Sequence, residues 1–200
     1  MVVYILYLQA DQLQGVQSVE WAHNAALCVS VRNPTEPAMV RERVVIDRTT
    51  GLHQDVPTHD AHKAHVPHSP PHVHHTAKKQ HAAPPCHLQL HWPGDNGPPA
   101  TVRVLEADEG KKKLPALQSS LTVSGMRTPM LALQCEKVEP YALHWLGQEL
   151  VVKASAGSPA GITTYTDLEW DNNGDAPCSW SAYDMVSGST SITNLRAVFE

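Results

Sequence analysis

A chain of 200 residues is long enough to bury the core of one domain or of two small ones. Its formal charge of −5 excludes the broad basic surface that binders of nucleic acid or acidic membranes present. Charged residues make up 18% of the chain and aromatic residues 6%, while prolines number 16. This composition argues against a helical bundle and favours short strands joined by long, proline-containing loops.

The first 47 residues have the pattern of three β-strands. YILYLQADQL predicts the first strand and AALCVSV the second, with GVQSV as a turn between them. MVRERVVID predicts the third strand, with Arg41 and Arg43 facing outward and Val40, Val44 and Ile46 facing inward. The apolar N-terminus lacks the basic region and cleavage site of a signal peptide, and no apolar run is long enough to span a membrane. We therefore expect a cytoplasmic protein.

Residues 48–86 differ in composition from both flanks, because histidine, proline, alanine and lysine replace the bulky apolar residues. Such a segment cannot offset its own ordering entropy, which predicts a long disordered loop. Neutral imidazole is a common ligand for zinc, copper and nickel, so the segment also permits metal binding. A specific site needs further groups that fix each ring, and a loop supplies few, so we interpret the segment as a spacer. The histidines concerned are His59, His62, His65, His68, His72, His74 and His75.

The C-terminal part again predicts strands. CHLQLHW and ATVRVLEA predict two strands that flank the turn PGDNGPP, and EADEGKKK predicts a charged turn. The further predicted strands are PMLALQCEKV, YALHWL, QELVVKASA, ITTYTDLEW, CSWSAYDMVSGS and TNLRAVFE. The prediction is an all-β fold in which two β-rich halves, about 1–105 and 117–200, pack as a sandwich or as a pair of barrel-like sheets. We treat 1–200 as a single domain with an N-terminal β part over 1–47, the His/Pro-rich loop over 48–86 and the remaining β part over 87–200.

The sequence predicts no catalytic residues. It contains no phosphate-binding glycine loop, no GxSxG elbow and no HExxH motif. The four cysteines are far apart, with no CxxC pair, and we expect reduced, mostly buried thiols. The carboxylates near the C-terminus favour solvated strand ends over a paired general acid and base, although an enzyme that uses them is a third alternative. They are Asp167, Glu169, Asp171, Asp175 and Asp184, and we expect Trp170 and Trp180 beside them to anchor the core.

Three segments, LALQCEKVEP, DAPCSWSAYDMVSGSTSITNLRAVFE and LYLQADQLQGVQSV, resemble segments of one eukaryotic family, the CXXC-motif-containing zinc-binding proteins. LALQCEKVEP, with Cys135 at the strand end, is similar to the family's strand–C–x–G–x–E–P segment. DAPCSWSAYDMVSGSTSITNLRAVFE is similar to its acidic closing stretch through Trp180, Tyr183 and Asp184. LYLQADQLQGVQSV resembles its opening through Leu6, Leu8, Ala10 and Leu13. The resemblance covers about residues 4–47 and 128–200.

The resemblance implies a mostly β, two-part fold that binds one zinc through two CxxC pairs, and this chain departs from that pattern at both pairs. Val31 and Pro34 stand where the first thiolates would be, and HLQLHWPGDNG occupies the second site without a cysteine pair. Neither valine nor proline can replace a thiolate, so we predict that the zinc is lost and that no residue is a metal ligand. A substitute site would have to draw on Cys28, Cys86, His87 and His91.

Together these observations predict a non-enzymatic binding or scaffold protein, a divergent member of that family without a cofactor. The resemblance implies a protein partner of unknown identity; we expect no nucleic-acid or membrane partner and a monomer. The alternative is a metal-binding or metal-buffering protein that uses the His-rich loop.

Overall fold

The computed structural model describes residues 1–23, 25–49, 86–105, 116–155, 161–185 and 188–200. The segment predicted as a His/Pro-rich loop therefore lies outside the described residues, except for Arg48, Thr49 and Cys86 at its ends. The segment predicted as a charged turn lies outside them as well. Within the described ranges the chain forms fourteen β-strands and one short 3-10 turn, Asn172–Gly174. The all-β prediction is confirmed. In the same ranges no helix is long and apolar enough to cross a lipid bilayer.

The strand bounds follow in chain order. They are β1 Val2–Gln9, β2 Gln12–Gln14, β3 Val16–Trp21, β4 Leu27–Arg32, β5 Val40–Ile46, β6 Leu88–Leu90, β7 Ala100–Leu105, β8 Ser120–Leu121, β9 Thr128–Glu136, β10 Glu139–His144, β11 Leu150–Ser155, β12 Ile162–Tyr165, β13 Cys178–Asp184 and β14 Gly188–Phe199.

The strands form three antiparallel sheets. The largest has the order β13-β14-β1-β9-β7-β6, and β2 adds to it by pairing with β14. A three-stranded sheet has the order β10-β4-β5, and a four-stranded sheet has the order β12-β11-β3-β8. Each sheet combines strands from both sides of the 50–85 segment, so the N-terminal and C-terminal parts share their hydrogen-bonded ladders.

The core lies between these sheets, and β1 shows why. In the seven-stranded sheet Leu6 pairs with Phe199 on one side and with Leu131 on the other, and it is fully buried. Ile5, on the opposite face of the same strand, packs in a smaller cluster with Leu105 and Ala132. Because β1 is central and covered on both faces, it is a nearly continuous apolar run and not an alternating one.

One predicted turn is a strand. GVQSV was expected to turn the chain, but only Gly15 does so, with φ at +65°, and Val16–Trp21 forms β3. Val19 is fully buried and pairs with Val152 of β11 and Leu121 of β8. Pairing with distant strands therefore determines the conformation of this segment, and the local turn propensity of its residues does not.

Candidate functional site

Two hairpin turns and one connection between sheets line a common cavity. The β4–β5 turn belongs to the three-stranded sheet, the β6–β7 turn belongs to the seven-stranded sheet, and the β9–β10 turn connects these two sheets. They enclose a cavity of about 690 Å³, which is within the size range of ligand pockets. Its lining residues are Asn33, Pro34, Thr35, Glu36, Met39, Trp92, Pro93, Gly94, Asp95 and Lys137.

The β4–β5 turn is closed by its own hydrogen bonds. The backbone N–H of Asn33 donates to the carbonyl of Met39 at 2.9 Å, and the N–H of Met39 donates to the carbonyl of Glu36 at 2.8 Å. The Asn33 side-chain oxygen accepts from both the N–H and the hydroxyl of Thr35, at 3.0 and 2.8 Å. This is the local bonding by which asparagine favours turns, and it fixes the backbone that carries Glu36.

The opposite wall rests on Trp92 and Lys137. The Trp92 ring is buried and its indole N–H donates to the Lys137 carbonyl at 2.8 Å. The Lys137 ammonium donates to Asp95 at 3.2 Å and to the carbonyl of Pro98 at 3.0 Å. The other oxygen of Asp95 accepts from the Gly97 N–H at 2.8 Å. The Gly97 N–H, followed by Lys137, lowers the pKa of Asp95 and keeps it ionised.

The charges around the cavity do not cancel completely. Lys137 pairs with Asp95, and Arg32 pairs with Glu139 on the neighbouring strands. Within the described ranges, the Glu36 carboxylate is exposed and forms neither an ion pair nor a side-chain hydrogen bond. One uncompensated negative charge therefore remains at the rim.

The residues at the two expected zinc positions do not fit a structural zinc ion. Val31 is fully buried in the core, and Pro34 lines the cavity without a donor atom. None of the side chains that line the cavity is a thiolate or an imidazole, the groups that hold structural zinc. Asp95, the best-placed oxygen ligand, already accepts hydrogen bonds at both oxygens.

The substitute ligand set is not assembled either. Cys28 and Cys86 are both buried, and burial raises the pKa of each thiol. His87 accepts a hydrogen bond from the Val104 N–H at its Nδ1 atom, while His91 is exposed. Across the ranges that the structure covers, no three or more His, Cys, Asp or Glu side chains are grouped to hold a metal. The seven loop histidines lie outside those ranges.

All four cysteines are buried thiols, as predicted. Burial raises the pKa of Cys135 to about 12, and burial followed by the nearby Asp171 and Glu149 carboxylates raises that of Cys178 to about 12. Thiols with such pKa values are neutral at pH 7, and neutral thiols are poor nucleophiles and poor metal ligands.

A serine, a histidine and an aspartate form a hydrogen-bonded chain that no sequence motif indicates. Ser30 Oγ lies 2.7 Å from His144 Nε2, and His144 Nδ1 lies 2.7 Å from Asp175 Oδ1. Arg43 donates its guanidinium to the same Asp175 oxygen at 2.7 Å. We call these four residues the Ser30 network. It links β4, β5 and β10 to the turn that precedes β13.

The Ser30 network is arranged to hold strands together. Ser30 is 2% exposed, so its hydroxyl cannot meet a substrate. Its oxygen accepts the Arg43 backbone N–H at 3.3 Å, where β5 is bulged and Arg43 has φ at +53°. With Asp175 accepting from His144 Nδ1, the Nε2 atom of a neutral imidazole accepts from the Ser30 hydroxyl. The hydrogen bond from His144, followed by the Arg43 charge, lowers the pKa of Asp175.

The remaining C-terminal carboxylates do not converge. The Asp171 side chain accepts the Ser179 N–H, and Asp167 lies exposed in a turn with φ at +54°. Trp180 is buried, and Trp170 packs against the core with its ring centroid 5.6 Å from that of Trp145. The expectation that the two tryptophans anchor the core is confirmed.

Comparisons with known proteins give a fold and nothing more. No protein-family model matches the chain, and no curated protein matches its sequence. Among solved structures, a hypothetical protein from Plasmodium falciparum superposes with a TM-score of 0.66 at 13% identity, with both chains fully covered. The crystal structure of C1orf123 superposes with a TM-score of 0.64 at 10% identity, covering 100% of this chain and 99% of the other. Identities this low show a shared fold alone.

Proposed function

We propose that this chain is a non-enzymatic protein-binding module that meets its partner at the cavity between the β4–β5 and β6–β7 turns. The observation that carries this proposal is the cavity itself. It is lined by turns that belong to two different sheets of the β scaffold. Binding residues concentrate on such loops because the scaffold fixes them at little entropic cost. The lining mixes an apolar floor with a few polar groups, as binding sites do.

The proposal includes a relationship to the CXXC-motif-containing zinc-binding proteins. In that resemblance, RNP and HWPGDNG belong to the segments where the two cysteine pairs are expected, and residues of both segments line the same cavity. Asn33, Glu36 and Asp95 occupy this space instead of thiolates. We propose that the zinc has been lost and that partner binding has been kept, in a cytoplasmic monomer with no membrane or nucleic-acid partner.

An enzymatic role is the weaker hypothesis. A serine nucleophile must reach its substrate, and Ser30 is buried beneath His144 and Arg43. The network therefore supports a structural role, and the proposal assigns it no chemistry.

Crosslinking at the cavity tests the proposed function. A photoreactive p-benzoylphenylalanine at Thr35, which lines the cavity, is compared with the same residue at Thr164, which is exposed on β12. In extract of the native cells, we expect a discrete adduct from position 35 that excess unlabelled protein abolishes. No adduct from position 35, or the same adducts from position 164, would contradict the proposal.

Metal analysis tests the loss of zinc and the alternative role of the His-rich loop. Untagged protein is dialysed at neutral pH and its metal content is measured, with and without residues 53–81. Stoichiometric zinc in both proteins would contradict the loss of the zinc site. Metal that disappears with the deletion would favour metal buffering, whereas unchanged metal content and melting temperature would leave the loop a spacer.

A further inference from the structure

The cavity has one charge without a counter-ion. Lys137 gives two of its three N–H groups to Asp95 and to the Pro98 carbonyl, so this cation is already neutralised. Glu36 lines the same cavity and, within the residues that the structure covers, has no cationic neighbour at ion-pair distance. The remaining field at the rim is therefore negative, and it favours a cationic group over an anionic one.

The walls beside Glu36 are apolar. Met39 is half-buried and packs against the main core, and Pro34 lines the cavity beside it. Trp92 lines the cavity from the other wall and is fixed by its hydrogen bond to Lys137. A ligand that fits these walls has an apolar stem and a charged tip, as lysine and arginine side chains do.

A bare metal ion fits the same space less well. A divalent cation needs several oxygen ligands, and Glu36 is the one carboxylate of the lining that is not already hydrogen-bonded, among the residues that the structure describes. A single exposed carboxylate can, however, pair with an ammonium or a guanidinium group.

We infer that the cavity receives a lysine or arginine side chain of the partner protein, with its stem against Met39 and Pro34 and its charge on Glu36. This inference rests on the proposed function and names the chemistry of the partner. The contact is an exposed ion pair added to apolar burial, so Glu36 gives the site its preference for a cation.

Nuclear magnetic resonance of the full chain tests the inference with Nα-acetyl-arginine-N-methylamide as the probe. The citrulline analogue is the matched control, because it has nearly the same shape without the charge. We expect saturable shifts of the Trp92 indole N–H and the Thr35 amide with the arginine probe, with a Kd of about 1–10 mM. Citrulline should bind about two- to fivefold more weakly.

Charge reversal separates the role of Glu36 from that of general surface charge. E36K should abolish saturable binding of the arginine probe, whereas E42K, which places the same change on exposed β5, should leave it unchanged. The inference is wrong if the two probes bind equally, if no saturable shift occurs, or if Nα-acetyl-aspartate-N-methylamide binds instead. Those outcomes combined with a specific adduct from position 35 would leave the proposed function intact and overturn the cationic partner alone.

Discussion

The Ser30 network and the cavity use similar polar side chains in two different environments. At the inner end of the network, Ser30 is buried and pairs with His144, whose side chain is 14% exposed, whereas Asp175 and Arg43 at its outer end are each 48% exposed. At the cavity, Lys137 and Asp95 are each 36% exposed in their side chains, and Glu36 is exposed without a partner. Buried polar groups must be fully paired, so they specify how strands meet, whereas exposed groups can remain unpaired for a ligand. The comparison predicts large stability effects in the first region and small ones in the second.

Substitutions at two glycines, one in each region, should show the largest difference in stability. Gly174, in the turn beside the network, and Gly94, at the cavity, both have positive φ, +75° and +78°. A Cβ at position 174 would lie closer than 3.0 Å to the Trp145 carbonyl oxygen, while a Cβ at position 94 meets nothing within 4 Å. We expect G174A to lose more than about 3 kcal/mol of unfolding free energy and G94A about 1 kcal/mol. Denaturant unfolding followed by tryptophan fluorescence measures both, and equal losses would contradict the comparison.

Alanine substitutions at two histidines should show the next largest difference in unfolding free energy. H144A leaves the buried Ser30 hydroxyl without its acceptor and opens a space in the interior, so we expect a loss of about 1–3 kcal/mol. H91A changes an exposed histidine near the cavity, and we expect a change within about 0.5 kcal/mol. Chemical denaturation at pH 7 compares the two variants with the parent. A loss from H91A as large as that from H144A would mean that the cavity end also holds the fold together.

Two glutamates distinguish the regions by pH. Glu149 is 3% exposed, burial raises its pKa above the usual 4.5, and its Oε2 atom lacks a hydrogen-bond partner among the described residues. The folded state then binds a proton that the unfolded state has released, so this carboxyl costs stability as pH rises from 4.5 through its folded pKa. We expect the unfolding free energy of E149Q to exceed that of the parent by an amount that grows as the pH rises above about 4.5.

The matched change at the cavity is E36Q. Because Glu36 is exposed, we expect the unfolding free energy of E36Q at pH 7 to stay within about 0.5 kcal/mol of that of the parent. A constant offset between E149Q and the parent would show that Glu149 acts through its shape and not through its proton.

The strand pattern was predictable, and the two polar sites were not. Most strands follow from local apolar and β-branched content, as in MVRERVVID, which forms Val40–Ile46, although the bulge at Arg43 prevents a regular alternation of buried and exposed residues there. Ser30 and His144 are 114 residues apart, and His144 and Asp175 are 31 residues apart, so only the sheet topology brings them together. The cavity has the same origin. The segments RNPTEP and PGDNGPP were recognisable as turns between strands. Nothing in their local sequences indicates that the two turns line the same cavity.

The smallest expected effect concerns the ion pair at the cavity. K137M keeps most of the side-chain stem and the backbone carbonyl that binds Trp92, and it removes the ammonium that contacts Asp95. Since both partners are partly exposed, we expect the melting temperature to fall by less than about 3 °C. That difference should shrink in about 1 M salt, where the screening length is about 3 Å. A larger, salt-independent loss would mean that the ammonium fixes the β6–β7 turn. The cavity would then be a second structural network, and Glu36 alone would remain free for a partner.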